Sequence, residues 1–268
     1  MTSTFRMLAV ALAAAFLFLL PPTPDAAART PGNGPVVVDT VTDEELYVIA
    51  SWENGPLLRG TRTVDALQYP LEVNAQDCTD RGCENGCTIG YGYNFGAHTA
   101  DEVRQDFSAA GLPEQLTQRF IRFAGATGVD AVALCGQNIA NRDQLPTMTS
   151  AQSWELLRVM AAEHKANVVR RARAERLLPY FNSGQFAIMV ALDYQNPVLS
   201  SEATYIWRQL RAGDTAAVLN NIRNHMGTRF APGLQTRRNW EANYFAWATR
   251  RQHSVGQFNW PARTRSTT

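Results

Sequence analysis

Glu53 has the residue type and the position of a catalytic acid. Leu46, Ile49 and Ala50 recur at helical spacing, and Glu53 continues the same face. A carboxyl group on such a face loses part of its hydration, and the negative end of the helix dipole lies beside it; both effects disfavour the charged form. Since a carboxyl group that is neutral at pH 7 can protonate a leaving oxygen, we take Glu53 as a candidate general acid. The alternative is a solvated side chain in a last helical turn.

Residues 87–96, CTIGYGYNFG, form a second stretch of interest. Their glycines and short β-prone pieces predict a turn-rich strand with Thr88, Tyr91 and Asn94 near one surface, suited to holding water and sugar hydroxyl groups. A dinucleotide-binding loop fits poorly, because no aliphatic strand precedes the stretch and bulky side chains such as Tyr93 would crowd the phosphates.

The N-terminal residues are typical of a secretory signal peptide. Arg6 precedes an apolar run over residues 7–20, and the alanines at 26–28 offer a cleavage site. The run is shorter than the roughly 20 residues that span a bilayer. We therefore expect residues 1–28 to be removed, leaving a periplasmic or secreted protein without a stable membrane span. The alternatives are a retained membrane anchor and a signal-anchor that is released later.

The composition is that of a globular protein, with 45% hydrophobic and 18% charged residues and a net charge of +1. This near-neutral balance argues against nucleic acid as the main partner.

In an exported chain, an even number of cysteines predicts disulfides. The four are Cys78, Cys83, Cys87 and Cys135. Three pairings are open, and we expect two disulfides. A metal site completed by His98 is the weaker alternative, because the spacings fit no familiar zinc pattern.

Helix signals place these residues in a framework. Thr42 and Glu45 predict a capping box at the start of the first helix, and residues 54–56 (Asn-Gly-Pro) predict its end, with the glycine free to take the left-handed conformation. Residues 58–96 predict a small, irregular sheet pinned by disulfides. Helical patterns dominate after His98. They include a capping box at Thr149 and Gln152, an all-apolar buried helix over 186–192, and helices near 201–211, 216–226 and 234–248.

The expected organisation is α+β. A signal peptide (1–28) and an extended leader (29–40) precede one domain (41–248), and a flexible basic tail (249–268) follows it. Near the end of the domain, Arg237 and Arg238 either contact an anionic substrate or form ion pairs with Glu241, three and four residues along a helix; we favour the ion pairs.

Three motifs in this order resemble the phage-type lysozymes and their pesticin-like relatives. They are the acidic helix end at Glu53 followed by TIGYG (88–92), the stretch ALDYQN (191–196), which resembles A-L-x-x-x-x-N, and GLQTRRNWEA (233–242), which resembles G-L-x-x-R-R-x-x-E-A. The resemblance implies a lysozyme-like fold, with a small disulfide-pinned sheet lobe and a larger helical lobe around a central buried helix. It implies Glu53 as the general acid, Thr88 as the residue that positions the attacking water, and no cofactor or metal.

The resemblance is incomplete at the second carboxylate. Small phage lysozymes carry Asp six residues before the Thr, where this chain has Gly82, and longer relatives carry Asp six residues after it, where this chain has Asn94. Asp80 lies just upstream of the first position, and Asn94 could hold water without acting as a base. We therefore add Asp80 and Asn94 to the candidate catalytic residues. Tyr91 and Tyr93 are the candidate substrate-binding residues.

The expected function is that of an exported, monomeric muramidase that cleaves the β-1,4 bond between N-acetylmuramic acid and N-acetylglucosamine in peptidoglycan glycan strands, for bacteriolysis or wall remodelling. A lytic transglycosylase, which needs one Glu, is an alternative, as is a peptidoglycan-binding protein with impaired turnover. No G-x-S-x-G motif or recognisable triad supports serine-hydrolase chemistry.

Overall fold

The structure is a computed structural model, and it describes residue 32 and residues 34–61, 64–67, 86–136, 139–195, 205–225 and 232–254. The predicted signal peptide lies outside the described residues, as do Cys78, Asp80, Gly82 and Cys83. The same holds for residues 255–268 of the predicted tail.

Helices make up most of the described chain. They run over Asp43–Glu53 (α1), Gly55–Leu58 (α2), Ala100–Ala109 (α3), Glu114–Phe120 (α4), Gly128–Cys135 (α5), Ser150–Ala174 (α6), Ser183–Gln195 (α7), Tyr205–Arg211 (α8), Thr215–His225 (α9) and Pro232–Ser254 (α10). Short 3-10 turns cover Phe95–Ala97, Ile121–Phe123, Arg142–Gln144 and Leu178–Tyr180. Within the described residues, no helix is both long and apolar enough to cross a membrane.

Two small antiparallel sheets accompany the helices, in agreement with an α+β class. Strands Thr88–Ile89 (β2) and Tyr93–Asn94 (β3) form a hairpin in which Thr88 lies opposite Asn94. Strand Val64–Ala66 (β1) pairs with Thr147–Thr149 (β4). The second pairing was not predicted, because the partner of β1 lies far along the chain.

The start of α1 confirms the predicted capping box, in which Thr42 and Glu45 bond to each other's backbone N–H groups. Lys165 of α6 then donates to both carboxylate oxygens of Glu45, at 2.9 Å each, in a pair that is almost fully buried. Burial raises the pKa of Glu45 despite this partner. The pair ties α1 to the longest helix of the described chain.

The end of α1 differs from the prediction. Asn54 ends the helix with an extended φ of −152°, and Gly55 begins α2 rather than taking a left-handed conformation. Pro56 lies in the first turn of α2, where a missing N–H costs no hydrogen bond. Asn54 therefore caps two helices, with its side-chain oxygen accepting from the N–H of Leu57 at 3.2 Å.

The predicted central helix is confirmed as α7. Every residue from 186 to 192 is completely buried. The side chains of Asn182 and Gln185 cap its start by accepting from each other's backbone N–H groups. Helices α1, α6 and α10 pack around α7 and enclose a large core.

A second core lies beneath the hairpin, and aromatic residues make up a third of its described buried residues. Its five completely buried aromatic rings are those of Tyr93, Phe95, Phe107, Phe120 and Phe123. A disulfide between Cys87 and Cys135 joins the hairpin to α5. This confirms one disulfide of the two that were predicted.

The last helix is longer than expected. It was predicted to end near Ala248, but α10 continues to Ser254. Thr249 is buried, accepts a hydrogen bond from Gln185 at 2.9 Å and donates to Phe245. The boundary between domain and tail at residue 249 is therefore corrected, since Thr249 packs against the start of α7.

Candidate functional site

Glu53 is the last residue of α1, and its side chain is 22% exposed. Its Oε1 accepts a hydrogen bond from Nη1 of Arg237 at 2.5 Å. Its Oε2 faces the tip of the hairpin, where a methyl group added at Gly92 would lie 3.3 Å away. Gly92 has a φ of +99°, which side-chain-bearing residues rarely adopt. Oε1 is thus hydrogen-bonded to a cation, and Oε2 faces the backbone of a glycine.

Arg237 belongs to a buried ionic cluster. Its Nε donates to Glu241 at 2.8 Å, and Arg238 donates to both Glu241 and Gln195. Burial alone would lower the pKa of Arg237, but the carboxylates of Glu53 and Glu241 outweigh it and raise that pKa. Burial lowers the pKa of Arg238. The favoured interpretation of both arginines as partners of Glu241 is confirmed, and the further contact of Arg237 with Glu53 was not predicted.

A hydrogen-bonded clamp fixes the hairpin tip relative to Glu53. Asn54 donates from Nδ2 to the carbonyl oxygen of Gly90 at 2.9 Å and to Asp65 at 3.2 Å. Asp65, which is 1% exposed, also accepts from the N–H of Gly90 at 2.7 Å. Because Asn54 follows Glu53 directly, the clamp sets the distance between the carboxyl group and the turn. Neither clamp residue was predicted from the sequence.

Tyr194, at the end of α7, completes the surroundings of Glu53. Its hydroxyl donates to the carbonyl oxygen of Tyr91 at 2.7 Å and would lie 3.5 Å from a methyl group at Gly92. Burial, and then the nearby charge of Glu53, raise the pKa of Tyr194 well above its usual value. The phenol is therefore a neutral donor at physiological pH. It stands inside the ALDYQN motif, but the sequence analysis gave it no role.

Thr88 and Asn94 lie opposite each other across the hairpin. The Thr88 hydroxyl donates to the carbonyl oxygen of Gly86 at 3.3 Å. The Asn94 amide oxygen accepts from the N–H groups of Gly86 at 2.9 Å and Gly96 at 3.0 Å. That oxygen therefore supports the backbone, and the amide nitrogen is the part of the side chain left to orient water.

Tyr91 and Tyr93 do not occupy the positions expected of substrate-binding residues. Tyr91 is 3% exposed and packs edge-on against Trp154. Tyr93 is completely buried, and its hydroxyl donates to Asp106 at 2.8 Å. Burial raises the pKa of Tyr91 to about 12. The assignment is corrected, because both rings are core residues in this structure and neither offers a surface to a sugar.

No protein-family model matches the chain, and a comparison with curated proteins finds no significant relative. A carboxyl group fixed through Oε1 can give or take a proton at Oε2, the oxygen that faces Gly92. A glycine at that position leaves room for a substrate atom next to the oxygen.

Proposed function

We propose that the protein is a muramidase with a lysozyme-like fold, which hydrolyses the β-1,4 bond between N-acetylmuramic acid and N-acetylglucosamine in peptidoglycan. The observation that carries the proposal is the position of Glu53, at the end of a buried helix and directly against the Gly92 turn of the TIGYG segment. The motif order supports it, because the two downstream motifs supply Tyr194 and Arg237, which both lie beside Glu53.

The hydrogen bond from Arg237 leaves the second carboxyl oxygen of Glu53 for the proton. A protonated carboxyl group has one hydroxyl and one carbonyl oxygen. Oε1 can remain the acceptor of the Arg237 hydrogen bond while Oε2 carries the proton towards the glycosidic oxygen. Arg237 also contacts Glu241, which Arg238 contacts as well, so two arginines and two carboxylates share the cluster.

Water must then attack from the opposite face of the sugar, as inversion requires. We assign Thr88 to its positioning, together with Asp80 or the amide nitrogen of Asn94. In inverting enzymes, acid and base stand roughly 6.5–9.5 Å apart, which leaves room for the water. On this proposal the protein acts outside the cytoplasm on glycan strands, as an exported monomer.

A lytic transglycosylase is the second candidate. The amide oxygen of Asn94 already accepts two backbone hydrogen bonds, and the carboxylate of Asp65 is buried within the clamp. Neither group is placed to accept a proton from water. A reaction in which the muramyl ring closes on itself needs Glu53 but no such base, and these contacts favour that reaction as the second candidate.

Digestion of purified peptidoglycan, followed by mass spectrometry, tests the proposal. Hydrolysis leaves reducing muramic ends, and a transglycosylase leaves anhydro ends. Binding without cleavage would indicate a protein with impaired turnover.

Glu53→Gln should lower the cleavage rate about 10²–10⁴-fold, because it removes the donated proton and keeps the shape. Glu163→Gln, at an exposed position on α6, is the matched control and should leave the rate unchanged. A loss below tenfold in Glu53→Gln would exclude Glu53 as the acid.

A further inference from the structure

Exposed arginines gather where the end of α6 meets α8. Arg170, Arg173 and Arg176 follow one another at three-residue spacing and are all exposed. On α8, the exposed residues Tyr205, Arg208 and Arg211 repeat the same spacing, while most of the residues between them are buried. We call this surface the arginine face. Its members are Arg170, Arg171, Arg173, Arg176, Arg208 and Arg211, with Tyr205 and Glu175.

Glu175 joins the two rows into one surface. Its Oε1 lies 2.5 Å from Arg171 of α6, and its Oε2 lies 2.7 Å from Arg211 of α8. The arginine face contains six arginines and this one carboxylate, a net charge of +5. Because the whole chain carries +1, the remainder carries −4. The near-neutral net charge of the chain therefore includes one strongly positive surface, the arginine face.

Arg176 occupies a backbone conformation that normally selects glycine. Its φ of +58° is left-handed, and it follows the cap of α6, where glycine avoids the steric cost. Among the described residues, it is the one non-glycine residue with a positive φ. An arginine at this position carries a steric cost that glycine would avoid, and it adds a charge to the arginine face.

Tyr205 indicates what kind of anion the surface fits. Its side chain is 63% exposed, and the guanidinium group of Arg208 lies 4.6 Å from the ring centroid. Guanidinium groups match the geometry of phosphate, and exposed tyrosine rings beside cations are typical of the headgroup region of membranes. We propose that the arginine face binds the headgroups of an anionic phospholipid surface.

The arginine face lies far from the candidate active site, at the other end of α6. Ser153, near the start of that helix, lies beneath the hairpin, where a methyl group at Gly90 would be 3.2 Å from its Cβ. Arg173 follows 20 residues later in the same helix, about 30 Å away at 1.5 Å per residue. The inference does not depend on the proposed enzymatic activity.

Flotation of the full chain with vesicles tests this surface. Vesicles of phosphatidylcholine alone are compared with vesicles that also contain phosphatidylglycerol. Residues 7–20 are apolar and common to every variant, so the measured quantity is the preference for the anionic vesicles. The triple variant Arg170→Gln/Arg173→Gln/Arg208→Gln should reduce that preference on the order of 100-fold, at about fivefold per arginine. The preference of the wild type should also weaken with added salt.

A matched variant removes the same charge elsewhere. Arg104→Gln/Arg119→Gln/Arg122→Gln neutralises three exposed arginines of the α3–α4 region and should retain the anionic preference to within a few fold. Equal losses in the two triple variants would show attraction by overall charge and would overturn the proposal. So would a wild-type chain without any anionic preference.

Arg176→Gly separates a role in binding from a role in folding. Glycine relieves the left-handed conformation, so the melting temperature should rise while the anionic preference falls about fivefold. A higher melting temperature with unchanged vesicle binding would count against the proposal. Tyr205→Ser should weaken vesicle binding but leave any binding to soluble polyphosphate unchanged. A wild-type chain that binds polyphosphate and ignores anionic vesicles would overturn the assignment to lipid.

Discussion

The two hydrophobic cores are stabilised in different ways. The large core surrounds α7, a helix buried along its length, and most of its side chains are aliphatic. The core under the hairpin rests on strands of two residues and on short helices, and aromatic residues make up a larger share of it. Strands and helices this short are not stable on their own. The Cys87–Cys135 disulfide adds stability that such short elements lack. Among the described residues, the disulfide lies in the core that is built from the shortest elements.

The candidate site draws on both cores. Glu53 ends a helix of the large core, whereas Ile89 and Tyr93 belong to the aromatic core. Tyr91, at the hairpin tip, inserts into the large core instead. The carboxyl group and the turn that faces it are therefore positioned by different cores. The Asn54–Asp65 clamp holds the turn at a fixed distance from the carboxyl group.

Removing the disulfide should have the largest effect on stability. Cys87→Ser/Cys135→Ser opens a loop of 48 residues, which should cost about 4 kcal/mol of unfolding free energy. Hydrogen exchange should accelerate first in the hairpin and α5, while α7 stays protected. Equal acceleration in both regions would mean that the two cores unfold as one unit.

Asn54→Ala should cost about 2 kcal/mol, because it removes the cap of α2 and leaves the carbonyl oxygen of Gly90 buried without this donor. Chemical denaturation measures the loss, and glycan cleavage should slow as the turn moves away from Glu53. Asn54→Asp keeps the capping oxygen but places a second carboxylate beside Asp65. It should therefore destabilise the protein more than alanine does at neutral pH. The clamp has no such role if Asn54→Asp is the milder change.

Tyr91→Phe should act only at alkaline pH. The pKa of Tyr91 is about 12 in the folded protein and about 10 in an unfolded chain. The neutral phenol therefore contributes stability that is complete below pH 10 and is lost as the pH rises through 12, by up to about 2 kcal/mol. Thermal melts between pH 9 and pH 12 should show a shallower decline for Tyr91→Phe than for the wild type. Parallel curves would contradict the burial of this ring in the large core.

Asn94→Asp should have the smallest effect on the fold, within about 0.5 kcal/mol, because a carboxylate accepts the same two backbone hydrogen bonds. Cleavage should become faster, since an anion there would activate water and stabilise the transition state. In that background Asp80→Asn should matter little. If Asp80 already acts as the base, Asp80→Asn alone should abolish cleavage and Asn94→Asp should add nothing. No change in either variant would remove both from the water site and leave Glu53 unaffected.

Local patterns predicted the elements that depend on local physics. The capping boxes at Thr42 and Thr149 are present, and the run over 186–192 is buried because it is apolar on every side. The β1–β4 pairing was missed, since a three-residue strand carries no signal that identifies a distant partner. The burial of Tyr91 and Tyr93 was also missed, because a glycine-rich hairpin suggests an exposed loop. Here the hairpin lies between two cores, and both rings are enclosed.

The site was predicted in part for the same reason. Helical spacing joins Arg237 to Glu241, and that pair is present. Nothing in the spacing of residues could indicate that Arg237 also reaches Glu53, because that contact depends on how α10 packs beside α1. Asn54 and Asp65 were missed because a buried amide and a buried carboxylate acquire their role only when the hairpin lies over them.

The ion pair between Glu53 and Arg237 spans 184 positions of the sequence, and this separation has a consequence for the order of synthesis. A ribosome completes most of the polypeptide before Arg237 exists, and the cation arrives only when α10 docks. A nascent or truncated chain that lacks α10 still contains Glu53 and the TIGYG segment, but it lacks the hydrogen bond from Arg237 to Oε1. The hydrogen bond that orients the carboxyl group therefore forms only after residue 237 has been synthesised and α10 has packed in place.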